Sequence, residues 1–192
     1  MNDDEIGRSV DVLPVVLVGG SSSRFGRDKL LEPMGDAGEL LVDRPIRALR
    51  EATGAAVMIV GACDERVGQR ADGAIDDPYP GVGPIGGVLA ALEFAQRDVV
   101  VLAGDLPGID AASVRLLLAA AAREPGAWAV AARTDDRVHP TIGLYRMACV
   151  GALRDAMEAG RRSLGRAVGE EFRVEVEIPA GAARNVNRVG DL

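Results

Sequence analysis

Apolar and polar residues alternate along the chain in blocks that predict strands and helices in turn. Near-continuous apolar runs are typical of strands buried on both faces, and apolar residues at every third or fourth position are typical of amphipathic helices. The predicted strands are Val12–Val18, Ala56–Val60, Val99–Ala103, Ala127–Ala132, Thr141–Tyr145 and Arg173–Ile178. Helical periodicity marks Val42–Leu49, Ile85–Leu92, Val114–Ala121 and Met147–Ala159. No repeat or linker interrupts the pattern, so residues 1–192 are expected to form a single domain in which residues 1–10 are flexible.

This alternation of strands and helices predicts the architecture. Strands joined by helices of this length require right-handed crossovers, which build a mainly parallel sheet covered by helices on both faces. The fold class is therefore a three-layer α/β/α domain. Asp43 and Asp110 are predicted to cap the first and third helices, and Pro45 falls in a first turn. Gly83 and Pro84 predict the start of the second helix.

Composition narrows the range of partners and compartments. The net charge of −7 argues against a nucleic acid or an anionic membrane as the main partner. Cys63 and Cys149 are too few for a disulfide framework. The acidic N-terminus lacks the features of a signal peptide, and the longest apolar run, Leu116–Ala122, is too short to span a membrane, so the protein is expected to be cytoplasmic. Lys29 is the only lysine among 22 basic residues.

Four loops are the expected ligand-binding positions, because open α/β sheets bind ligands at the carboxyl ends of their strands. These loops follow Val18, surround Gly61, contain Asp76 and Asp77, and begin at Gly104.

The loop from Gly19 to Lys29 is rich in glycine and serine and carries Arg24. Glycines let the backbone approach an anion, and successive N–H groups form a concave anion site. It is not a Walker A loop, because no glycine directly precedes Lys29 and Leu30 stands in place of the hydroxyl residue. The alternative is a surface loop with solvated arginines. Its position after a predicted central strand favours phosphate binding.

Several other segments carry residues capable of binding chemistry, each with a structural alternative. The spacing of Gly81, Gly83 and Gly86 matches a dinucleotide fingerprint, but the residues before it predict a turn, so we interpret it as a helix start. Asp105 follows a strand, where it is suited either to Mg²⁺ held with phosphate oxygens or to capping the next segment. His139 is the only histidine and has no apparent triad partners.

Two further polar groups lie toward the end of the sequence. Arg161 and Arg162 suit an anionic second substrate or form a solvated patch. Asn185 and Asn187 fit one face of a strand, with turn residues as the alternative.

With these motifs identified, the chain resembles the molybdenum cofactor guanylyltransferases along essentially its whole length. That family is a branch of the nucleotidyltransferases built on a Rossmann-like fold, the fold of the nucleotide-diphospho-sugar transferases. Its first loop corresponds to residues 17–20 and 24–29, and its Gly-Pro-Leu-Ala-Gly element to residues 83–87. Its Cys-Asp-x-Pro motif corresponds to residues 104–107, and its His-Pro segment to residues 139–144. Its Gly-x-Arg-Arg and Asn-x-Asn motifs correspond to residues 160–162 and 185–187.

The resemblance implies a role for each matched residue. It assigns catalysis to Lys29, Arg24 and Asp105. The GTP-binding residues that it implies are Leu17, Val18, Gly19, Gly20, Lys29, Gly61, Asp77, Gly83, Pro84, Gly87 and Asp105. The residues expected on the molybdopterin side are His139, Arg161, Arg162, Asn185 and Asn187. Asp105 and Asn187 are the expected Mg²⁺ ligands.

The implied reaction is transfer of GMP from GTP to the terminal phosphate of molybdenum-bound molybdopterin, with release of pyrophosphate. Transient contact with cofactor-delivery proteins or molybdoenzymes is also implied. Three positions depart from the family pattern: Val18 stands where alanine is usual, Gly104 replaces cysteine, and Gly61 lies about where some relatives place an asparagine beside the base. The alternatives are a cytidylyltransferase, of the molybdopterin or isoprenoid-pathway type, and a non-catalytic nucleotide- or pterin-binding module.

Overall fold

The computed structural model describes residues 11–19, 28–35, 38–135 and 137–186. The strands are β1 (Leu13–Leu17), β2 (Pro33–Met34), β3 (Glu39–Leu40), β4 (Met58–Val60), β5 (Gly73–Ile75), β6 (Val99–Ala103), β7 (Ala129–Thr134), β8 (Arg137–Tyr145) and β9 (Arg173–Glu177). The helices are α1 (Asp43–Thr53), α2 (Glu65–Gly68), α3 (Pro84–Ala95), α4 (Ala111–Arg123), α5 (Val150–Glu158) and α6 (Leu164–Ala167). Residues 1–10, expected to be flexible, lie outside the described ranges.

Seven of the strands form one sheet in the order β5-β4-β1-β6-β8-β7-β9, with β5 and β9 at its edges. The pairs β5–β4, β4–β1, β1–β6 and β7–β9 are parallel, whereas β8 runs antiparallel to both β6 and β7. The predicted α/β fold with a mainly parallel sheet is therefore confirmed. Strands β2 and β3 pair separately as a small hairpin.

Helices cover both faces of the sheet because successive strand residues point to opposite sides. On one face, Val16 and Leu102 pack in a buried cluster with residues of α1 and α4. On the other face, Val15 and Val101 pack with residues of α3, α5 and α6. Each two-sided strand thus contributes to two apolar layers, which explains its continuous apolar sequence. No helix within the described ranges is both long and apolar enough to cross a membrane.

The helix caps agree with prediction at Asp110 and differ at Asp43. Asp110 precedes α4, and its carboxylate accepts a hydrogen bond from Ser113 N at 2.8 Å. Asp43 is the first residue of α1 rather than its cap, because Val42 occupies the capping position. The carboxylate of Asp43 instead accepts a hydrogen bond from Leu40 N at 2.8 Å and forms an ion pair with Arg70. It thereby connects the β2–β3 hairpin to the start of α1.

Candidate active site

The carboxyl ends of four parallel strands, β1, β4, β5 and β6, lie at one edge of the sheet. Leu17 at the end of β1 is in register with Val60 of β4 and Ala103 of β6, and Val60 is in register with Ile75 of β5. The described residues that follow these strands, Gly19, Gly61, Asp76 and Gly104, therefore lie along one edge, where the sequence predicted the ligand-binding loops.

Two glycines, Gly19 and Gly61, lie side by side at this edge, and we call this pair the glycine floor. Gly19 and Gly61 have φ values of +99° and +112°, which side chains rarely adopt. A Cβ on Gly61 would lie 2.9 Å from the carbonyl carbon of Val18 and closer still to its oxygen, inside the 3.0 Å that real Cβ atoms keep. The backbones after β1 and β4 are therefore in direct contact. An asparagine at position 61, as expected in some relatives, does not fit this backbone.

Lys29 and Asp105 meet above this floor although they are 76 residues apart in sequence. Lys29 Nζ donates to Asp105 Oδ2 at 2.6 Å and to the backbone oxygen of Val186 at 3.3 Å. Both side chains are largely shielded, with 24% and 14% of their surface exposed. This ion pair unites two residues that the sequence singled out separately.

Asp28 fixes the backbone from which Lys29 projects. Its Oδ1 accepts from Leu30 N at 3.0 Å and thereby caps the 3-10 turn Lys29–Leu31. Its Oδ2 accepts from Asp64 N at 3.1 Å, which joins this turn to the segment after β4. The position of Lys29 therefore depends on a carboxylate that bridges two loops.

The end of β6 and the segment before residue 187 hold Asp105 in place. Gly104 N donates to Leu17 O at 3.0 Å, and a Cβ on Gly104 would lie 3.1 Å from Leu30 Cδ2. Asn185 Nδ2 donates to Asp105 Oδ1 at 3.3 Å. The Asp105 carboxylate thus faces Lys29 and Asn185, and it is Asp110 that caps the following helix. The alternative reading of Asp105 as a cap is wrong.

The donor set around Asp105 suits Mg²⁺ that is shared with a substrate. Mg²⁺ is usually held by one or two carboxylates together with phosphate oxygens and water. Asp105 offers one carboxylate at the mouth of the site. In the described part of the chain no three acidic, histidine or cysteine residues come together as a complete protein-only metal site. The residues present therefore fit a metal that arrives with phosphates.

The helix α3 points its N-terminus at the same edge. Gly83 precedes it with a φ of +90°, and Pro84 occupies its first turn. This confirms that the glycine pattern there is a helix start. A Cβ on Gly87 would lie 3.2 Å from Leu17 Cδ2, so the absent side chain allows α3 to pack closely against β1. Asp77, after β5, accepts a hydrogen bond from Tyr79 N at 2.9 Å and so shapes the connection to α3.

A cleft of about 640 Å³ lies beside the Lys29–Asp105 pair. Six polar residues line it, and we call it the basic cleft: Thr134, Asp135, Arg137, His139, Arg184 and Asn185. His139 Nε2 and Thr134 Oγ1 are hydrogen bonded at 2.6 Å. Burial lowers the pKa of His139, and the positive charge of Arg137 lowers it further. Asn185 connects the cleft to Asp105, so the two regions are continuous.

The remaining predicted residues divide into three groups. His139 and Asn185 both line the basic cleft. Arg161 and Arg162 are exposed in the link between α5 and α6 and do not line the cleft in the described structure. Gly20, Arg24 and Asn187 lie outside the described residues.

Four of the six polar lining residues were missed by sequence reasoning: Thr134, Asp135, Arg137 and Arg184. The available signal was their position within five residues of His139 or next to Asn185.

A glycine floor, a helix N-terminus and a lysine–aspartate pair at the carboxyl edge of an α/β sheet form a site suited to phosphorylated ligands. A family model described as "MobA-like NTP transferase domain" matches residues 14–174, and the chain belongs to this family of nucleotidyltransferases. A protein of Opitutus terrae named "Probable molybdenum cofactor guanylyltransferase" is 36% identical over 157 residues, which cover 80% of this chain and 75% of the relative.

Solved structures confirm the fold. Molybdopterin-guanine dinucleotide biosynthesis protein A from Archaeoglobus fulgidus has a TM-score of 0.70 at 24% identity, with 94% of each chain covered. A 4-diphosphocytidyl-2C-methyl-D-erythritol synthase from Anaerococcus prevotii also has a TM-score of 0.70, at 9% identity, with 95% of this chain and 93% of that chain covered. Because both structures match equally well, the fold alone does not distinguish the two activities.

Proposed function

We propose that this protein transfers GMP from GTP to the terminal phosphate of molybdenum-bound molybdopterin, releasing pyrophosphate and forming a guanine dinucleotide. The observation that carries the proposal is the Lys29–Asp105 pair, which lies between the glycine floor and the basic cleft. We assign the acceptor to the cleft of about 640 Å³ on one side of this pair and the nucleotide to the edge formed by the ends of β1 and β4 on the other. The name of the Opitutus terrae relative, a probable molybdenum cofactor guanylyltransferase, supports the choice of substrates.

The reaction needs alignment and charge neutralisation rather than a general base. The acceptor phosphate has a second pKa of about 6, so it is mostly dianionic at neutral pH and its oxygen is already nucleophilic. That oxygen forms a bond to the α-phosphorus of GTP while the bond to the bridging oxygen breaks, and the leaving pyrophosphate carries the electron pair. Lys29 and Arg24 stabilise the phosphate charge, and backbone N–H groups of Gly19 and Gly20 contribute to the same stabilisation.

The nucleotide would occupy the edge formed by the first loop, the end of β4 and the start of α3. Its phosphates would meet Leu17, Val18 and the two glycines that follow. The backbone at Gly61 and the Asp77 loop would flank the nucleoside. On the α3 side the contacts would come from Gly83, Pro84 and Gly87. Gly61 offers the base no side chain, so recognition of the base would fall to other groups at this edge.

Mg²⁺ belongs to the proposal as a cation held by Asp105 and Asn187 together with the phosphates. When bound, it would neutralise phosphate charge and favour pyrophosphate departure. A cytoplasmic location also belongs to the proposal. Transient contact with proteins that deliver the pterin or receive the finished cofactor belongs to the same proposal.

Substitution of the central pair tests the proposal. Lys29→Ala and Asp105→Ala are each expected to reduce turnover by about 10²- to 10³-fold, as loss of one preorganised electrostatic contact does. The assay measures guanine dinucleotide and pyrophosphate formed from GTP and molybdopterin with Mg²⁺. Circular dichroism spectra that match the wild-type spectrum provide the folding control. Near-wild-type turnover in either folded variant would contradict the assignment.

Two further measurements test which base the protein prefers and whether it catalyses the transfer. GTP at 100 times its Kd should stabilise the protein by about 2.7 kcal/mol, and CTP, ATP and UTP at equal concentration should stabilise it less. A larger thermal shift with CTP would favour the cytidylyltransferase alternative. The non-catalytic module would bind nucleotide yet release no pyrophosphate in the presence of molybdopterin.

A further inference from the structure

The basic cleft carries positive charge that the described residues around it leave unbalanced. Arg137 and Arg184 contribute two positive charges, whereas Asp135 is the one acidic residue in the lining that the structure describes. Burial and the nearby Arg137 lower the pKa of His139, which disfavours a positive charge on its ring. The neighbouring Lys29 and Asp105 neutralise each other. The described lining therefore carries one net positive charge in a chain whose net charge is −7.

Among the described residues, the two guanidinium groups have no partner and are available to an anion. Arg137 and Arg184 are exposed, and neither guanidinium forms a hydrogen bond or an ion pair with any residue in the described ranges. Many other arginines of the fold are paired, as Arg70 is with Asp43 and Arg154 with Glu93. A guanidinium has five donors in a planar fork that matches phosphate oxygens. Two such forks in a concave surface are suited to an anion.

The location of the cleft decides which anion it would meet. Arg184 directly precedes Asn185, whose amide contacts Asp105, and Val186 N donates to Asp105 O at 3.1 Å. An anion held by Arg184 is therefore adjacent to the Lys29–Asp105 pair. The glycine floor lies on the side of β1 and β4, and the basic cleft lies on the side of β7 and β8. The phosphate of the acceptor, rather than the nucleotide, is the anion that would approach from the cleft.

We propose that Arg137 and Arg184 recognise the terminal phosphate of the acceptor and hold it beside the Lys29–Asp105 pair. This inference rests on the proposed function and adds two residues that determine acceptor specificity. The acceptor class is a phosphate monoester attached to a polar heterocycle, since Thr134, His139 and Asn185 supply hydrogen-bonding groups in the remaining lining. The arginines offset repulsion between the dianionic acceptor and the triphosphate, which would otherwise oppose their approach.

Removing the two arginines tests this inference. The double variant Arg137→Ala/Arg184→Ala should raise the KM for molybdopterin about 10- to 100-fold, because charge-assisted hydrogen bonds are lost. The KM for GTP should change by less than about twofold, because these side chains lie away from the glycine floor. The variant Arg137→Lys/Arg184→Lys keeps the charge without the planar fork and should recover part of the loss. Equal changes in both KM values, or no change in either, would overturn the inference.

A matched control removes two positive charges elsewhere. Arg115 and Arg123 lie on α4, and Arg115 contacts the backbone oxygen of Glu51 at the far end of α1. The variant Arg115→Ala/Arg123→Ala should leave the KM for molybdopterin unchanged. An increase equal to that of the cleft variant would assign the effect to net charge and contradict the inference.

A binding titration separates this inference from the proposed function. Molybdopterin binding to the whole protein is followed by pterin fluorescence, with no GTP present. If wild-type protein binds molybdopterin and forms no dinucleotide, the proposed reaction fails, while weaker binding by the cleft variant still supports the arginine assignment. If wild-type protein forms the dinucleotide and the cleft variant binds molybdopterin equally well, only the arginine assignment fails.

Discussion

Gly61 offers a test of how closely the strand ends must approach. Its φ of +112° costs a side-chain-bearing residue about 1–3 kcal/mol. A Cβ would also lie within 2.9 Å of the Val18 carbonyl carbon, so the backbone must move, at a further cost of about 1–3 kcal/mol. The variant Gly61→Ala should therefore lose about 2–6 kcal/mol of unfolding free energy. The same movement displaces Val18, so GTP affinity should also fall.

The matched control is Gly54→Ala. Gly54 has a φ of +67°, and no atom lies within 4 Å of the position its Cβ would take. The Gly54→Ala variant places alanine in a left-handed backbone conformation but creates no steric overlap, so it should lose only about 1–2 kcal/mol of unfolding free energy. Thermal unfolding measures both variants, since each kcal/mol lowers the Tm by about 2–4 °C in a domain of this size. A Gly61→Ala protein that melts no lower than Gly54→Ala would refute the argument that the two backbones are in forced contact.

Three further outcomes follow from contacts near the site. Thr134→Val should lose about 1 kcal/mol of stability and raise the KM for molybdopterin, and Thr134→Ser should restore both, because the hydroxyl bonded to His139 returns. The folded protein lowers the pKa of His139 from about 6.5, so as pH falls the unfolded chain takes up this proton before the folded protein does. The free energy of unfolding should therefore decrease as pH falls below about 6.5. The variant His139→Gln should show a weaker decrease. Gly108→Ala should cost about 1–3 kcal/mol and reduce turnover, because its Cβ would overlap the backbone of Gly181, three residues before Arg184. Denaturant unfolding and steady-state kinetics check all three, and wild-type behaviour in any of them would contradict the corresponding contact.

The central strands were predictable because burial on both faces leaves a strong signal. Val99–Ala103 was predicted residue for residue, since every position packs into one of the two apolar layers. The short strand β5 was missed, because three residues that include a glycine have no recognisable period. Hydrogen bonding to β4 stabilises this segment as a strand, although its own sequence has no strand pattern. The β2–β3 hairpin was missed for the same reason.

The site was predictable where it depends on strand ends and not where it depends on long-range docking. Lys29 and Asp105 were expected at one edge, because parallel strands carry both of their loops there. The cleft residues Arg137 and Arg184 belong to different parts of the chain, the β7–β8 hairpin and the segment after β9. Only tertiary packing brings them together, and neither lies in a recognised motif.

The two edges of the sheet have a consequence for the behaviour of the protein at high concentration. β5 is three residues long and is flanked by Asp72 and Asp76, so it offers little backbone for another strand to pair with. The other edge strand, β9, carries Glu175, which is ion paired with Arg173 and Arg133, and the exposed Glu177. Short or charged edges oppose the addition of a foreign strand. The sheet is therefore protected from edge-to-edge aggregation, and its apolar central strands stay inaccessible to other chains.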